Sequence, residues 1–121
     1  MGFNTTLTNV LVFNNTAIRT TTVQNSTPVL MDQLEETVAV VANTLDQAVT
    51  IGTQMSMDNG STWLTIGNTV SVPNGTSIVV NQFDGTLTGI RILSGQLRLT
   101  ATASSAPTTG GLTAYLQGMA D

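Results

Sequence analysis

The stretch Met57-Asp58-Asn59-Gly60-Ser61-Thr62-Trp63-Leu64-Thr65-Ile66 sets an Asn-Gly pair directly before an alternating apolar segment. Asn and Gly both accept a positive φ, so an Asn-Gly pair between two alternating segments is a strong signal for a β-hairpin. Alternating segments and turn residues follow one another in this way through residues 46–102. We therefore predict that this region is the core of an antiparallel β-domain.

Residues 37–42 are predicted to form a strand that is apolar on both faces. Val38 and Val40 point to one side and Ala39 and Val41 to the other, because side chains alternate along a strand. An apolar outer face would be exposed to water on an isolated sheet. A strand of this kind therefore lies in the middle of a sandwich or at an interface.

Three further segments complete the predicted sandwich. Residues 69–81 alternate on either side of Pro73-Asn74-Gly75, which predicts a hairpin with a three-residue loop. Residues 112–117 alternate between apolar and polar, so we predict a last strand that lies antiparallel to residues 96–102. Residues 103–111 are small or polar and include Pro and Gly, which predicts a mobile loop.

Two arginines are predicted to face each other. A two-residue turn at Ser94-Gly95 would pair Arg91 with Arg98 across the ladder, where like charges cost stability. In one interpretation a carboxylate such as Asp46 or Asp84 lies between them as a structural partner. In the other, the two arginines form an anion-binding clamp. A longer bend at the turn would keep the arginines apart.

The chain has 121 residues, enough for one domain with a hydrophobic core. A break rich in Asn, Ser, Thr and Pro at residues 25–28 separates an N-terminal segment from the rest. We therefore predict an all-β, antiparallel β-sandwich at residues 35–121 and an extended N-terminal arm at residues 1–34. The arm's apolar side chains are predicted to contact another subunit or a lattice: Leu7, Leu11, Phe13 and Ile18.

Composition excludes several functions. Charged residues make up 8% of the chain, against roughly 25% in an average soluble protein. The net charge is −4 with three cations, too few for a nucleic-acid groove. The absence of Cys, His and Lys removes disulfides, thiolate catalysis and the usual general bases, so we expect no enzyme activity, cofactor or metal. No segment approaches the roughly 18 apolar residues that cross a bilayer, so no membrane partner is expected.

Two aromatic residues and one acidic turn are further candidates for binding. Trp63 and Tyr115 have aromatic faces that suit a sugar ring, although a Trp directly after a hairpin corner is more often a core residue. Asp58-Asn59-Gly60 matches part of a calcium loop, but such a loop requires several more oxygen ligands and a distal acidic residue. We interpret Asp58-Asn59-Gly60 as a hairpin turn and keep Trp63 and Tyr115 as candidate ligand platforms.

Four segments resemble a small jelly-roll β-sandwich module found among the virion proteins of tailed bacteriophages. They are residues 57–67 (MDNGSTWLTIG), 70–75 (VSVPNG), 97–103 (LRLTATA) and 111–116 (GLTAYL). The resemblance spans residues 48–118, whereas residues 1–34 have no counterpart in it. It implies a jelly-roll-like fold and a structural role in the virus particle.

The resemblance further implies a capsid decoration or cement protein, a class that is small, Cys-free, β-rich and often trimeric. Its expected partners are copies of itself, with a homotrimer favoured, and the major capsid protein. Its expected location is the capsid surface of the virion. A surface of Thr, Asn and Ser suits many copies packed together, because it carries little like charge. Two alternatives stay open: a carbohydrate-binding module of a tail fibre or adhesin, and the subunit of an extracellular filament.

Overall fold

The computed structural model describes residues 6–30, 35–81 and 95–120, and its regular structure in these ranges is entirely β-strand. Two antiparallel sheets pack against each other, which confirms the predicted all-β sandwich. The strands in chain order are β1 (Thr6–Thr16), β2 (Gln24–Asn25), β3 (Val29–Leu30), β4 (Glu35–Asn43), β5 (Val49–Ser56), β6 (Leu64–Val72), β7 (Thr76–Asn81), β8 (Gln96–Ala103) and β9 (Leu112–Ala120).

Sheet A has four strands in the order β1-β9-β4-β7, and sheet B has five, in the order β2-β8-β5-β6 with β3 also paired to β8. β4 lies between β9 and β7, which is the central position predicted for a strand that is apolar on both faces. β5 and β6 form a hairpin within sheet B. From β6 onward the chain alternates between the sheets, with β6 in sheet B, β7 in sheet A, β8 in sheet B and β9 in sheet A.

Alternation turns one side of each sheet toward the core. In β8 every second residue is buried and the residues between them are only half-buried. The inward side chains of both sheets form one apolar cluster. Its buried members are Val12, Phe13, Ile18, Val29, Ala39, Val41, Leu45, Val49, Ile51, Val72, Leu97, Leu99, Ala101, Ala103, Leu112, Ala114 and Leu116.

The N-terminal segment is part of this sandwich, so the predicted arm at residues 1–34 is wrong for its described residues. β1 pairs with β9 from Thr6 opposite Ala120 to Thr16 opposite Leu112. A bulge between Leu11 and Phe13 shifts the register, and both Val12 and Phe13 are buried. Such a bulge places one extra residue in a strand, so two consecutive side chains enter the core where strict alternation would allow one.

Two predicted strand pairings are also wrong. Residues 69–81 do not form a hairpin, because β6 belongs to sheet B and β7 pairs with β4 in sheet A. The Pro73-Asn74-Gly75 turn instead carries the chain around a corner between the sheets, where the Gly75 N–H donates to the Asn43 carbonyl at 2.8 Å. β9 forms as predicted, but it lies between β1 and β4 and not beside β8. Turn residues mark a change of direction without specifying the sheet that receives the next strand.

The predicted mobile loop before β9 is fixed to the loop between β4 and β5 by hydrogen bonds. The hydroxyl and backbone N–H of Thr108 both donate to the Asp46 carboxylate. The Thr44 N–H donates to the Gly111 carbonyl at 2.9 Å, and the Gly111 N–H donates to the Thr44 hydroxyl at 3.0 Å. Both loops cross between the sheets, so these contacts join the sandwich at one end. The described partner of the Asp46 carboxylate is therefore Thr108 and neither of the described arginines, Arg19 and Arg98.

Candidate functional site

The outer face of sheet A carries a row of apolar side chains that crosses all four strands. The register places Leu11 opposite Tyr115, Tyr115 opposite Val40, and Val40 opposite Val79. Leu11 and Tyr115 are each 39% exposed and Val79 is 65% exposed, while Val40 is half-buried. We call these four residues the apolar row. A monomer gains nothing from placing its larger apolar side chains together in water, so the row is a candidate contact surface.

Uncharged side chains surround the apolar row. On one side the Gln117 amide donates to the Asn9 side-chain oxygen at 2.7 Å, and Val38 continues the β4 face. On the other side Ala42 lies opposite both Thr113 and Ser77. A shallow depression between Tyr115 and Val40 is lined by polar neighbours from this rim. No described side chain at these positions of sheet A is charged.

The outer face of sheet B is polar where that of sheet A is apolar. The outward residues of β8 alternate with its buried residues. They lie beside the outward residues of β5, which in turn lie beside those of β6. Their side chains carry hydroxyl, amide and guanidinium groups: Thr50, Gln54, Thr65, Ser71, Gln96, Arg98, Thr100 and Thr102. Gly52 lies among them, and a Cβ there would come within 2.8 Å of the Thr100 hydroxyl oxygen. Glycine at this position leaves room for that hydroxyl.

Trp63 lies at the edge of this polar face. The guanidinium carbon of Arg98 is 4.0 Å from the centroid of the Trp63 ring, a cation–π contact. Trp63 is half-buried and does not belong to the buried core, so the interpretation of Trp63 as a core residue is wrong. The Nε of Arg98 donates to the Gln54 amide oxygen at 2.9 Å, and the Gln54 amide donates to Thr65 at 3.4 Å.

The hairpin loop that precedes Trp63 is fixed by polar contacts of Ser56 and Asp58. The Ser56 hydroxyl donates to the Asp58 carboxylate at 2.8 Å and accepts from the Gly60 N–H at 2.8 Å. The Thr62 N–H donates to the same carboxylate at 2.8 Å, and this hydrogen bond is the main cause that lowers the pKa of Asp58. Asn59 and Gly60 have φ values of 60° and 88°, as the predicted Asn-Gly hairpin requires.

The Asp58 carboxylate thus accepts hydrogen bonds within the turn, which agrees with the interpretation of Asp58-Asn59-Gly60 as a hairpin turn. The part of the chain that the structure describes contains no cluster of three or more acidic, His or Cys side chains that could hold a metal ion.

Arg98 is a partly buried cation without an acidic partner among the described residues. Burial lowers the pKa of Arg98, because the charged guanidinium loses contact with water. Arg91 and Asp84 lie outside the described residues, so the arginine pair stays a prediction. At Leu97, β8 pairs with β5 on one side and with β3 on the other.

The remaining predicted site residues have different positions in the structure, some in the core and some on the surface. Phe13 and Ile18 are 3% and 2% exposed, so these two predicted lattice contacts are core residues. Leu7 lies in β1 opposite Met119, and the structure does not describe its side chain. Leu11 and Tyr115, predicted as a lattice contact and as a ligand platform, meet in the apolar row. Their pairing depends on the register between two strands at opposite ends of the chain, and no local pattern specifies that register.

Trp63 and Tyr115 do not form a joint ligand platform. Trp63 lies beside the polar face of sheet B, and Tyr115 lies on the outer face of sheet A, with the core between them. Comparison with known proteins adds no identification, since no protein-family model and no curated protein matches the chain. Among the described residues, no helix is long and apolar enough to cross a membrane.

Proposed function

We propose that the chain is a structural virion protein, a capsid decoration or cement protein that binds and stabilises a phage head through protein–protein contacts. The observation that carries the proposal is the apolar row on the outer face of sheet A. A sandwich of this size folds by burying its inner faces, so four apolar side chains aligned on an outer face require another explanation. Contact with a second protein removes them from water.

The composition of this face matches that of a protein interface. Interfaces have an apolar or aromatic centre, a polar rim and few charged side chains at the centre. Tyr115 and Val40 lie in the middle of the row, and Tyr is among the residues that contribute most to binding energy. Asn9 and Gln117 supply an uncharged rim on one side.

The size of the face is sufficient for a specific contact. Strands of six to eleven residues make up the two edges of sheet A. At about 3.3 Å per residue and about 4.8 Å between strands, the four strands present a face of about 550 Å². Covering it on both partners buries about 1,100 Å², near the lower end for specific interfaces. A homotrimer would attach through three such contacts at once, so a modest contact for each copy is enough for stable attachment.

The electrostatics suit an assembly of many copies. The chain has a net charge of −4, yet the described side chains on the outer face of sheet A are uncharged. Copies can therefore approach through this face without placing like charges together. The proposed partners are the major capsid protein and further copies of the chain, arranged as a homotrimer. The proposed role requires no catalysis, cofactor, nucleic acid or membrane, and it places the protein on the capsid surface.

The test begins with the neighbouring genes, where the proposal expects a major capsid protein, and then measures attachment of the chain to heads assembled from that protein. Purified protein is mixed with heads that lack it, the heads are sedimented, and the bound copies are counted. We expect saturable binding by the natural chain and loss of binding by Tyr115→Asp, because the substitution buries a charge at the centre of the contact.

Thr50→Asp is the matched control, since it adds the same charge on the outer face of sheet B and should leave binding unchanged. Analytical ultracentrifugation of the free protein tests the trimer. Absence of binding to the heads, or equal binding by the natural chain and Tyr115→Asp, would contradict the proposal.

A further inference from the structure

We infer that Arg98, Trp63 and Gln54 form a binding site for an acidic saccharide on the outer face of sheet B. This site lies on the face opposite the apolar row and is independent of the proposed role in the capsid. Its central feature is a guanidinium that is positioned by two neighbours and still has hydrogen-bond donors to offer. A uronic acid residue supplies a carboxylate, which this guanidinium does not contact among the described residues.

The guanidinium of Arg98 uses only part of its binding capacity within the chain. Its plane contacts the Trp63 ring and its Nε donates to Gln54. The two Nη atoms have no hydrogen-bond partner among the described residues. An arginine fork binds a carboxylate through two parallel hydrogen bonds, so the free Nη edge is suited to a carboxylate ligand.

The other described arginine shows what a structural role looks like in this chain. One Nη of Arg19 donates to the Ile18 carbonyl at 2.9 Å and to the Gly110 carbonyl at 3.1 Å. Arg19 therefore links the segment after β1 to the loop before β9. Arg98 makes no hydrogen bond to the backbone in the described part of the chain, so fixing loops does not explain its position.

The site is held in place before any ligand arrives. Ser56 and Asp58 fix the loop that carries Trp63, and a Cβ at Gly60 would lie only 3.6 Å from the Trp63 ring. Gln54 is held on its other side by Thr65. Side chains that are already ordered lose little entropy on binding, which favours affinity for a small polar ligand.

The surroundings favour a saccharide over an apolar protein segment. The face beside Arg98 carries hydroxyl and amide groups from Gln96, Thr100 and Thr102 of β8 and from neighbouring strands. Such groups hydrogen-bond to sugar hydroxyls, and the exposed part of the Trp63 ring offers a partly apolar surface for a sugar. Among the described residues of β5, β6 and β8, the outward positions carry no row of apolar side chains like that on sheet A.

The experiment is a fluorescence titration, because Trp63 is the single tryptophan of the chain and reports on its own site. The full chain is titrated with tetragalacturonate and with maltotetraose, which has the same number of sugar units and no carboxylate. We expect a saturable change in Trp63 emission with the acidic tetrasaccharide, and binding at least tenfold weaker for the neutral one.

Variants assign the effect to the guanidinium. Arg98→Gln should weaken tetragalacturonate binding at least tenfold, and Arg98→Lys should weaken it severalfold, because a lysine keeps the charge and loses the fork. Arg19→Gln and Tyr115→Asp are matched controls that should bind as the natural chain does. Circular dichroism of each variant confirms that it is folded.

Three outcomes would overturn the inference. The first is no saturable response to tetragalacturonate, and the second is the same affinity in folded Arg98→Gln. The third is binding of a tetraglutamate peptide at least as tight as that of tetragalacturonate, which would make the site a receptor for acidic peptide. Each of these results leaves the role of the apolar row to be judged separately by the binding to heads.

Discussion

The outer faces of the two sheets differ, although their inner faces are alike. Both inner faces are apolar and form one core. On the outside, sheet A presents Leu11, Tyr115, Val40 and Val79 in a row, and sheet B presents hydroxyl, amide and guanidinium groups around Arg98. The apolar side chains on the inner faces explain why the chain folds, because burial of apolar surface drives folding. Folding does not require apolar side chains on the outer faces, so the residues found there indicate what each face binds.

The first prediction tests the difference between the inside and the outside of sheet A. Phe13→Ala should lower the free energy of unfolding by about 3–5 kcal/mol, because it leaves a cavity in the core. Leu11→Ala, two residues earlier on the outer face, should cost less than about 1 kcal/mol. Urea unfolding of both variants measures the two values. Similar costs would show that the outer face of sheet A is as important for folding as the core.

The second prediction concerns two buried hydroxyl groups of the inner layer. The Ser26 hydroxyl accepts from the Leu99 N–H at 2.8 Å, and it is buried. Ser26→Ala leaves that N–H without a partner and should cost about 1–3 kcal/mol. The Thr53 hydroxyl is also buried but has no hydrogen-bond partner among the described residues, so Thr53→Val should stabilise the protein by about 1 kcal/mol. Loss of stability in Thr53→Val would reveal a contact for that hydroxyl.

The third prediction tests how much Trp63, at the edge of the polar face of sheet B, contributes to stability. Trp63→Ala should lower the free energy of unfolding by about 1 kcal/mol, because it removes a cation–π contact and a half-buried side chain. A core tryptophan would cost about 3–5 kcal/mol. Chemical unfolding followed by circular dichroism measures the change, since the variant lacks the fluorophore. Thr65→Ala is a control on the same face and should change stability by less than about 0.5 kcal/mol.

The sequence predicted the local features of this fold and missed its long-range pairings. The β5–β6 hairpin was predictable because Asn59 and Gly60 both adopt the positive φ that such a turn needs. β4 was predictable because its residues are apolar on both faces. The position of β9 was not, since a strand of alternating residues fits several neighbours equally well. The same ambiguity led to the wrong hairpin at Pro73-Asn74-Gly75.

The candidate surfaces were predictable residue by residue but not as groups. Tyr115, Leu11, Trp63 and Arg98 all stood out as candidates in the sequence, yet the apolar row needs a register between β1 and β9 that no local signal provides. The prediction of an N-terminal arm failed for a related reason. A bulge in β1 turns both Val12 and Phe13 into the core, and the segment therefore buries more apolar surface than alternation indicates.

The last and smallest effect concerns Asp46, whose contact with Thr108 joins the two loops that link sheet A to sheet B at one end. The two hydrogen bonds from Thr108 lower the pKa of Asp46 in the folded protein. A carboxyl group with a lower pKa in the folded state adds stability above its unfolded pKa of about 3.9, and that stability is lost as the pH falls through the folded value. The difference in unfolding free energy between the natural chain and Asp46→Asn should therefore be largest above about pH 5 and shrink as the pH falls below about 4. Urea unfolding at a series of pH values measures it, with Thr108→Val as a second variant that should show the same trend more weakly because its backbone N–H still donates. A difference that stays constant from neutral to acidic pH would mean that the charge of Asp46 does not help to hold the two sheets together.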